Sequence, residues 1–138
     1  MSVTTATLRC STRGDGDVVD LTAGVAQAVR AAELRDGVAV VFVVGSTAAI
    51  TTMEYEPGGV ADLRALLDEL VPRDRDWQHN RLNADTNAHA HLRAATIGPS
   101  ESIPVLEGRL GLGTWQQVVL LDFDDRPRER TIHVQLLS

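Results

Sequence analysis

Asp85-Thr86-Asn87-Ala88-His89-Ala90-His91-Leu92-Arg93 carries two of the four histidines in the chain, and a third, His79, lies ten residues before His89. Read by alternation, the stretch is a strand over residues 88–97. Ala88, Ala90, Leu92 and Ala94 then share one face, and His89, His91 and Arg93 share the other. The small apolar face suits burial, while the opposite face presents two imidazoles and a guanidinium. Neutral imidazole is the commonest metal-ligating side chain and is readily tuned for proton transfer near neutral pH. A His-x-His strand with a third His nearby therefore points to a metal or active site. A polar strand face, or two histidines hydrogen-bonded inside a core, is the plainer alternative.

Just upstream, residues 73–87 are polar and aperiodic and read as a loop containing Trp77, His79, Asn80 and Asp85; loops of this length within a domain tend to carry function. Before it, Val60, Leu63, Leu67, Leu70 and Val71 repeat at helical spacing, which predicts a helix over 60–71 closed by Pro72. Glu56-Pro57-Gly58-Gly59 reads as the turn before that helix. Ser46 to Glu54 reads as a strand, with Thr52 and Glu54 on one face. Val38 to Val44 is a continuous apolar run, read as a central strand buried on both faces. A helix over 21–35 is predicted from Leu21, Val25, Ala28, Val29 and Ala32, ended by Gly37. Val3 to Cys10 is a first strand, followed by a turn at Gly14-Asp15-Gly16-Asp17.

Downstream of the histidines, Gly98-Pro99-Ser100 ends the strand, and Ser102 to Leu106 is another. Glu107 to Gly113 forms a glycine-rich hairpin connection without the strand-to-helix pattern of a dinucleotide site. Trp115 to Phe123 and Thr131 to Leu137 are two final strands, joined by the charged segment 124–130, with Trp115 assigned to the core. His133 alternates with Ile132 and Val134 and reads as a solvated strand residue. Two helices among about eight strands give a single α+β domain, residues 1–138, with a mostly antiparallel sheet system.

Composition narrows the function. The 138 residues suffice for one domain with a real core. Aromatic residues make up only 4%, so that core must be built from Val, Leu, Ile and Ala. The net charge of -6 argues against a general nucleic-acid binder. All 13 basic residues are Arg, which excludes a Schiff-base lysine and a Walker-type phosphate lysine. Cys10 stands alone, so no internal disulfide and no cysteine-rich zinc site can form. No apolar run approaches the roughly 20 residues that span a membrane, and no signal-peptide pattern is visible, so the expected location is the cytoplasm.

From Val41 onward the chain resembles the YjbQ-like family, whose members are often called secondary thiamine-phosphate synthases. The resemblance is carried, in order, by Gly45-Ser46-Thr47-Ala48-Ala49-Ile50, Glu54, His79, Ala90-His91-Leu92-Arg93, Gly98-Pro99-Ser100 and Leu112-Gly113-Thr114-Trp115-Gln116. It implies a compact α+β sandwich, assembly as a homotrimer, and an activity that joins a hydroxymethylpyrimidine diphosphate to a thiazole phosphate with release of pyrophosphate. Many relatives have His where this chain has Gly45, and tend to have Pro where it has His89. His79, His91 and Glu54 carry over by position, and His89 is expected to replace the missing imidazole.

The site so expected has His79, His89 and His91 around a divalent metal, with zinc favoured by the imidazoles and magnesium by a diphosphate substrate. Glu54, Asp85 and His91 are the candidate catalytic groups. Arg93, Ser100, Thr114, Gln116, Arg128 and Arg130 are candidates for binding a phosphorylated small molecule. A metal-dependent hydrolase and a non-catalytic trimeric metal- or ligand-binding protein are the alternatives.

Overall fold

The computed structural model describes residues 1–138. In chain order the elements are β1 (Val3–Thr12), β2 (Asp17–Asp20), α1 (Thr22–Ala31), β3 (Gly37–Val43), β4 (Ala48–Met53) and α2 (Pro57–Leu70). They continue with α3 (Gln78–Asn83), α4 (Ala88–Ile97), β5 (Ser100–Leu106), β6 (Arg109–Leu110), β7 (Gln117–Asp122) and β8 (Arg128–Leu137). Five strands form one sheet in the order β1-β8-β3-β5-β6, and three form a second in the order β2-β7-β4. Every pairing is antiparallel. The α+β sandwich expected from the sequence is therefore present, with four helices rather than two.

The layers follow from side-chain alternation. Ala39, Val41 and Val43 of β3 and Ile132, Val134 and Leu136 of β8 face inward, against Ala48 and Ile50 of β4 and Val118 and Leu120 of β7. Val25, Ala28 and Val29 of α1 complete this core. The other face of the small sheet presents Val18, Ala49, Val119 and Leu121 to Leu67 of α2 and to Ala90 and Ala94 of α4. The order is thus large sheet, small sheet, then α2 and α4, with α1 packed into the core between the sheets. β7 is the strand buried on both faces. β3, expected in that role, is buried on one face only, and Phe42 is 41% exposed on the other. Its apolar run continues across the outer surface instead of into a second layer.

Residues 88–97 are helical, which overturns the strand reading. Alanine is the best helix former and is depleted in strands, and four of these ten residues are alanine. Ala90 and Ala94, one turn apart, bury against the small sheet with Ile97 beside them. Leu92, placed on the buried face by alternation, is 40% exposed. The helix starts where Asn80 Oδ1 accepts the Ala88 N–H at 3.0 Å, and it stops at Gly98, whose φ of 103° suits glycine, and Pro99.

Three smaller readings also change. The polar segment 73–87 contains α3 and is not all loop. Pro57 starts α2, because Glu56 caps it by accepting the Gly58 N–H at 2.8 Å and the Gly59 N–H. Trp115 is 72% exposed rather than core.

Candidate functional site

The turn between α3 and α4 brings two of the three expected histidines together. Ala84 takes a left-handed conformation (φ 49°, ψ 50°) and reverses the chain, so that α4 returns past α3. The His79 and His91 rings then meet with centroids 4.6 Å apart and planes inclined at 49°. His79 Nε2 lies 3.2 Å from Asn87 Oδ1, while Asn87 Nδ2 donates to Asp124 Oδ1 at 3.4 Å. The second bond orients the Asn87 amide, so its oxygen faces His79 and accepts from Nε2–H. That assigns the Nε2–H tautomer to His79 from its hydrogen bonds. Asp85 Oδ2 stands 3.7 Å from the same nitrogen, within reach of ion pairing when the ring is protonated.

Asp124 anchors this chain of contacts. Burial pushes its carboxyl up, but Arg128, the Asp125 N–H and Asn87 outweigh that and hold it well below the usual carboxylate range. Arg128 reaches it at 2.7 Å through Nε and 2.6 Å through Nη2.

His91 opens onto a cleft of about 440 Å³ lined by Gly45, Ser46, Ala48, Leu92, Ala94, Ala95 and Pro99. Gly45 has φ 125°, and a Cβ there would lie 2.7 Å from Arg130 Nη1. The missing side chain thus lets a guanidinium approach this wall of the cleft from behind. Arg130 otherwise binds Asp122 through two nitrogens and donates to Thr47 Oγ1 at 2.7 Å. Ser100, exposed at the start of β5, follows the cleft residue Pro99.

The remaining expected residues lie elsewhere. His89 and His91 fall on opposite sides of α4, since two helical residues are separated by about 200°. His89 is 1% exposed and lines a different cavity. Arg93, one turn beyond His89, shares its side and binds the Val71 carbonyl and Asp68. Glu54 follows the far end of β4, whose first residue, Ala48, lines the His91 cleft; six strand residues span about 20 Å. Thr114 and Gln116 line a third cavity with Thr22, Arg30 and Arg109, and Gln116 Nε2 donates to Thr52 Oγ1 at 3.0 Å. Arg128 serves Asp124 within the protein.

No three His, Cys, Asp or Glu side chains stand together as a metal-ligand set. The three-histidine metal site therefore does not assemble within one chain, because the helix sends His89 the other way. What the arrangement offers is proton transfer and hydrogen bonding from two adjacent imidazoles. Asn87 and Asp124 were missed by sequence reasoning. The signal available for Asp124 was Asp122-x-Asp124 followed by Arg128-x-Arg130, two like-spaced pairs of opposite charge.

The fold and the paired-histidine surface define a one-domain antiparallel α+β sandwich with a cleft between α4 and the start of β4. No helix is long and apolar enough to cross a membrane. Residues 6–138 match the family described as UPF0047 protein YjbQ-like, and the chain belongs to that family. A UPF0047 protein of Archaeoglobus fulgidus is 39% identical over 121 residues, covering 88% of this chain and 91% of that protein. The UPF0047 protein YugU of Bacillus subtilis is 31% identical over 134 residues, covering 96% and 98%. Among solved structures, a YbjQ-like protein of unknown function from Sulfolobus solfataricus P2 superposes with a TM-score of 0.94 at 37% identity, covering 99% of this chain and 98% of that one. An uncharacterized conserved protein of the yjbq/upf0047 family from Clostridium acetobutylicum gives a TM-score of 0.87 at 34% identity, covering 96% and 99%.

Proposed function

We propose that the protein is a cytoplasmic enzyme that acts on a phosphorylated small molecule in the cleft beside His91, with secondary thiamine-phosphate synthesis as its reaction. The observation that carries this reading is the His79–His91 ring pair, held from behind by Asn87 and Asp124 and open in front to the cleft. In the proposed reaction the thiazole nitrogen gives its electron pair to the pyrimidine methylene carbon. The carbon–oxygen bond breaks and pyrophosphate leaves with those electrons. His91 donates to the departing phosphate oxygens, and His79, fixed by Asn87 with Asp85 beside it, packs against the His91 ring and orients it. Arg130 offers Nη1, the nitrogen its pair with Asp122 leaves free, behind Gly45. Such a transfer asks for positioning and charge stabilisation more than covalent participation by the protein.

Incubation with hydroxymethylpyrimidine diphosphate and thiazole phosphate tests this directly. Wild type and His133→Ala are expected to make thiamine phosphate, while folded His91→Ala loses at least a hundredfold of the rate, as removal of a general acid does. Full activity in His91→Ala would remove the site. Pyrophosphate or phosphate release that needs no thiazole would favour a hydrolase instead. Zinc bound stoichiometrically by wild type and lost in His91→Ala would shift the reading to a metal shared between subunits.

Assembly as a homotrimer belongs to the same proposal. The outer face of the large sheet exposes Val3, Val38, Phe42, Val44 and Leu106, and strand register places Val3 and Val38 across from each other through Leu137. A face of this kind is suited to burial against further copies of the chain. Val44 adjoins the cleft residue Gly45, so a neighbour packed there would stand beside the His91 site.

A further inference from the structure

We infer that a second site, on the opposite side of α4 from His91, binds a phosphate-sized oxyanion through His89, Arg73, Arg93 and Arg64. It is a cavity of about 350 Å³ between α2, α4 and the β1–β2 turn, independent of the thiamine-phosphate reading.

Three observations converge on it. First, His89 lines the cavity while 1% exposed, and neither of its ring nitrogens has a hydrogen-bond partner. Leaving a buried polar group unpaired is costly, so such an atom marks a missing partner. Second, three guanidiniums line the same cavity and each keeps nitrogens free. Arg64 donates from Nε to the Gly16 carbonyl at 3.0 Å, leaving both terminal nitrogens. Arg73 uses Nη2 on Asp15, leaving Nε and Nη1. Arg93 uses Nε and Nη2 on the Val71 carbonyl and Asp68, leaving Nη1. Third, the three carboxylates of the lining, Asp15, Asp68 and Asp74, are all exposed, with Asp15 and Asp68 side chains 58% and 72% exposed. Arg64 and Arg73 also reach the open side, but Arg93 is 8% exposed, so the inner end holds a guanidinium and the His89 ring and no carboxylate.

Burial holds His89 below its ordinary pKa, and the charges of Arg73 and Arg93 act in the same direction. This lowering favours the neutral ring, which has one N–H and one bare nitrogen pointing in different directions. A phosphate complements either one, since it accepts from the imidazole N–H and the guanidiniums, or as monohydrogen phosphate donates its O–H to the bare nitrogen. Guanidinium forks suit phosphate oxygens, and the exposed Arg73–Asp15 pair can exchange its carboxylate for the ligand.

The test is a titration of the whole protein with inorganic phosphate, read by NMR at the His89 ring against sodium chloride at matched ionic strength. Expected is a saturable shift of the His89 resonances with phosphate alone, weakened about tenfold in Arg73→Gln through loss of one charge-assisted contact. His89→Leu should bind more weakly by calorimetry; should it fail to fold, the exposed Arg73→Gln still decides. The shift should persist in His91→Ala, which separates this site from the one above. An unmoved His89 ring at about 20 mM phosphate, well above the weak-binding range, or equal shifts with chloride, would overturn the proposal. So would unchanged affinity in Arg73→Gln.

Discussion

Arg130 and Asp122 tie the two sheets together: the guanidinium on β8 grips the carboxylate on β7 through Nε at 2.7 Å and Nη2 at 2.8 Å. Their side chains are 7% and 0% exposed, and Thr12 Oγ1 donates to Asp122 from β1 at 2.6 Å. Removing one partner leaves the other buried and uncompensated. Arg130→Ala is expected to lose about 3–5 kcal/mol of unfolding free energy. In the double variant Arg130→Met with Asp122→Leu, much of that loss should return. Urea denaturation of the single and double variants checks both.

Asp124 sets an acid limit on stability. Its folded pKa lies below its ordinary value of 3.8, for all that burial alone would raise it. The sign follows from proton uptake: the unfolded chain binds the proton first, so the contribution is whole above the ordinary value and declines as pH falls towards the folded one. Wild type should therefore lose melting temperature steeply below about pH 4. Asp124→Asn should start lower at pH 7 and show a flatter acid limb. Melting curves from pH 7 to pH 2 compare them.

His79 should be the Nε2–H tautomer in its neutral form, because Asn87 offers it only an oxygen. Asn87→Ala removes that acceptor and leaves Asp124 without the amide. The expected result is a mixed tautomer in the ¹⁵N ring shifts of His79, with about 1–3 kcal/mol of stability lost from the buried unpaired carboxylate oxygen. An Nδ1–H tautomer in wild type would reverse the assigned direction of the bond.

Phe42 offers the simplest test of assembly, since it is exposed at the middle of the large sheet's outer face, opposite His133. Placing a charge there should disfavour any packing of copies on that surface while leaving the inner core untouched. On the proposed trimer, Phe42→Arg is expected to keep the wild-type circular dichroism spectrum and to lower the mass seen by light scattering to that of one chain, and a wild type already at that mass would refute the assembly.

How far the sequence spoke depends on what its patterns measure. Helical periodicity in Leu21 to Ala32 and in Val60 to Val71 located α1 and α2, because those helices have one wet side. Clustering of the histidines also brought His79 to His91. The failure at 88–97 has a definite origin. Ala88, Ala90 and Ala94 satisfy a strand's alternation, while Ala90 and Ala94 satisfy a helix's turn, so only alanine's preference separates the two. That single choice decides whether His89 stands with His91 or behind it. The acid and arginine pairs of 122–130 misled in another way. As a charged connecting segment they offer Arg128 and Arg130 to phosphate, yet Asp122, Asp124 and Arg130 are buried and the two acids hold both arginines, and only contacts between two sheets reveal it.

The position of β8 has a consequence for how the chain is made. Residues 128–137 lie between β1 and β3, which are far earlier in sequence and do not pair with each other. A nascent chain that has not yet reached residue 128 therefore holds β1 without any partner strand and β3 with β5 alone. The large sheet closes only after synthesis has passed these residues, and its formation must join residues 3–12 to residues 128–137. Contacts of such sequence separation slow folding and expose unpaired strand edges meanwhile. A ribosome stalled just before residue 128 would present those edges to chaperones.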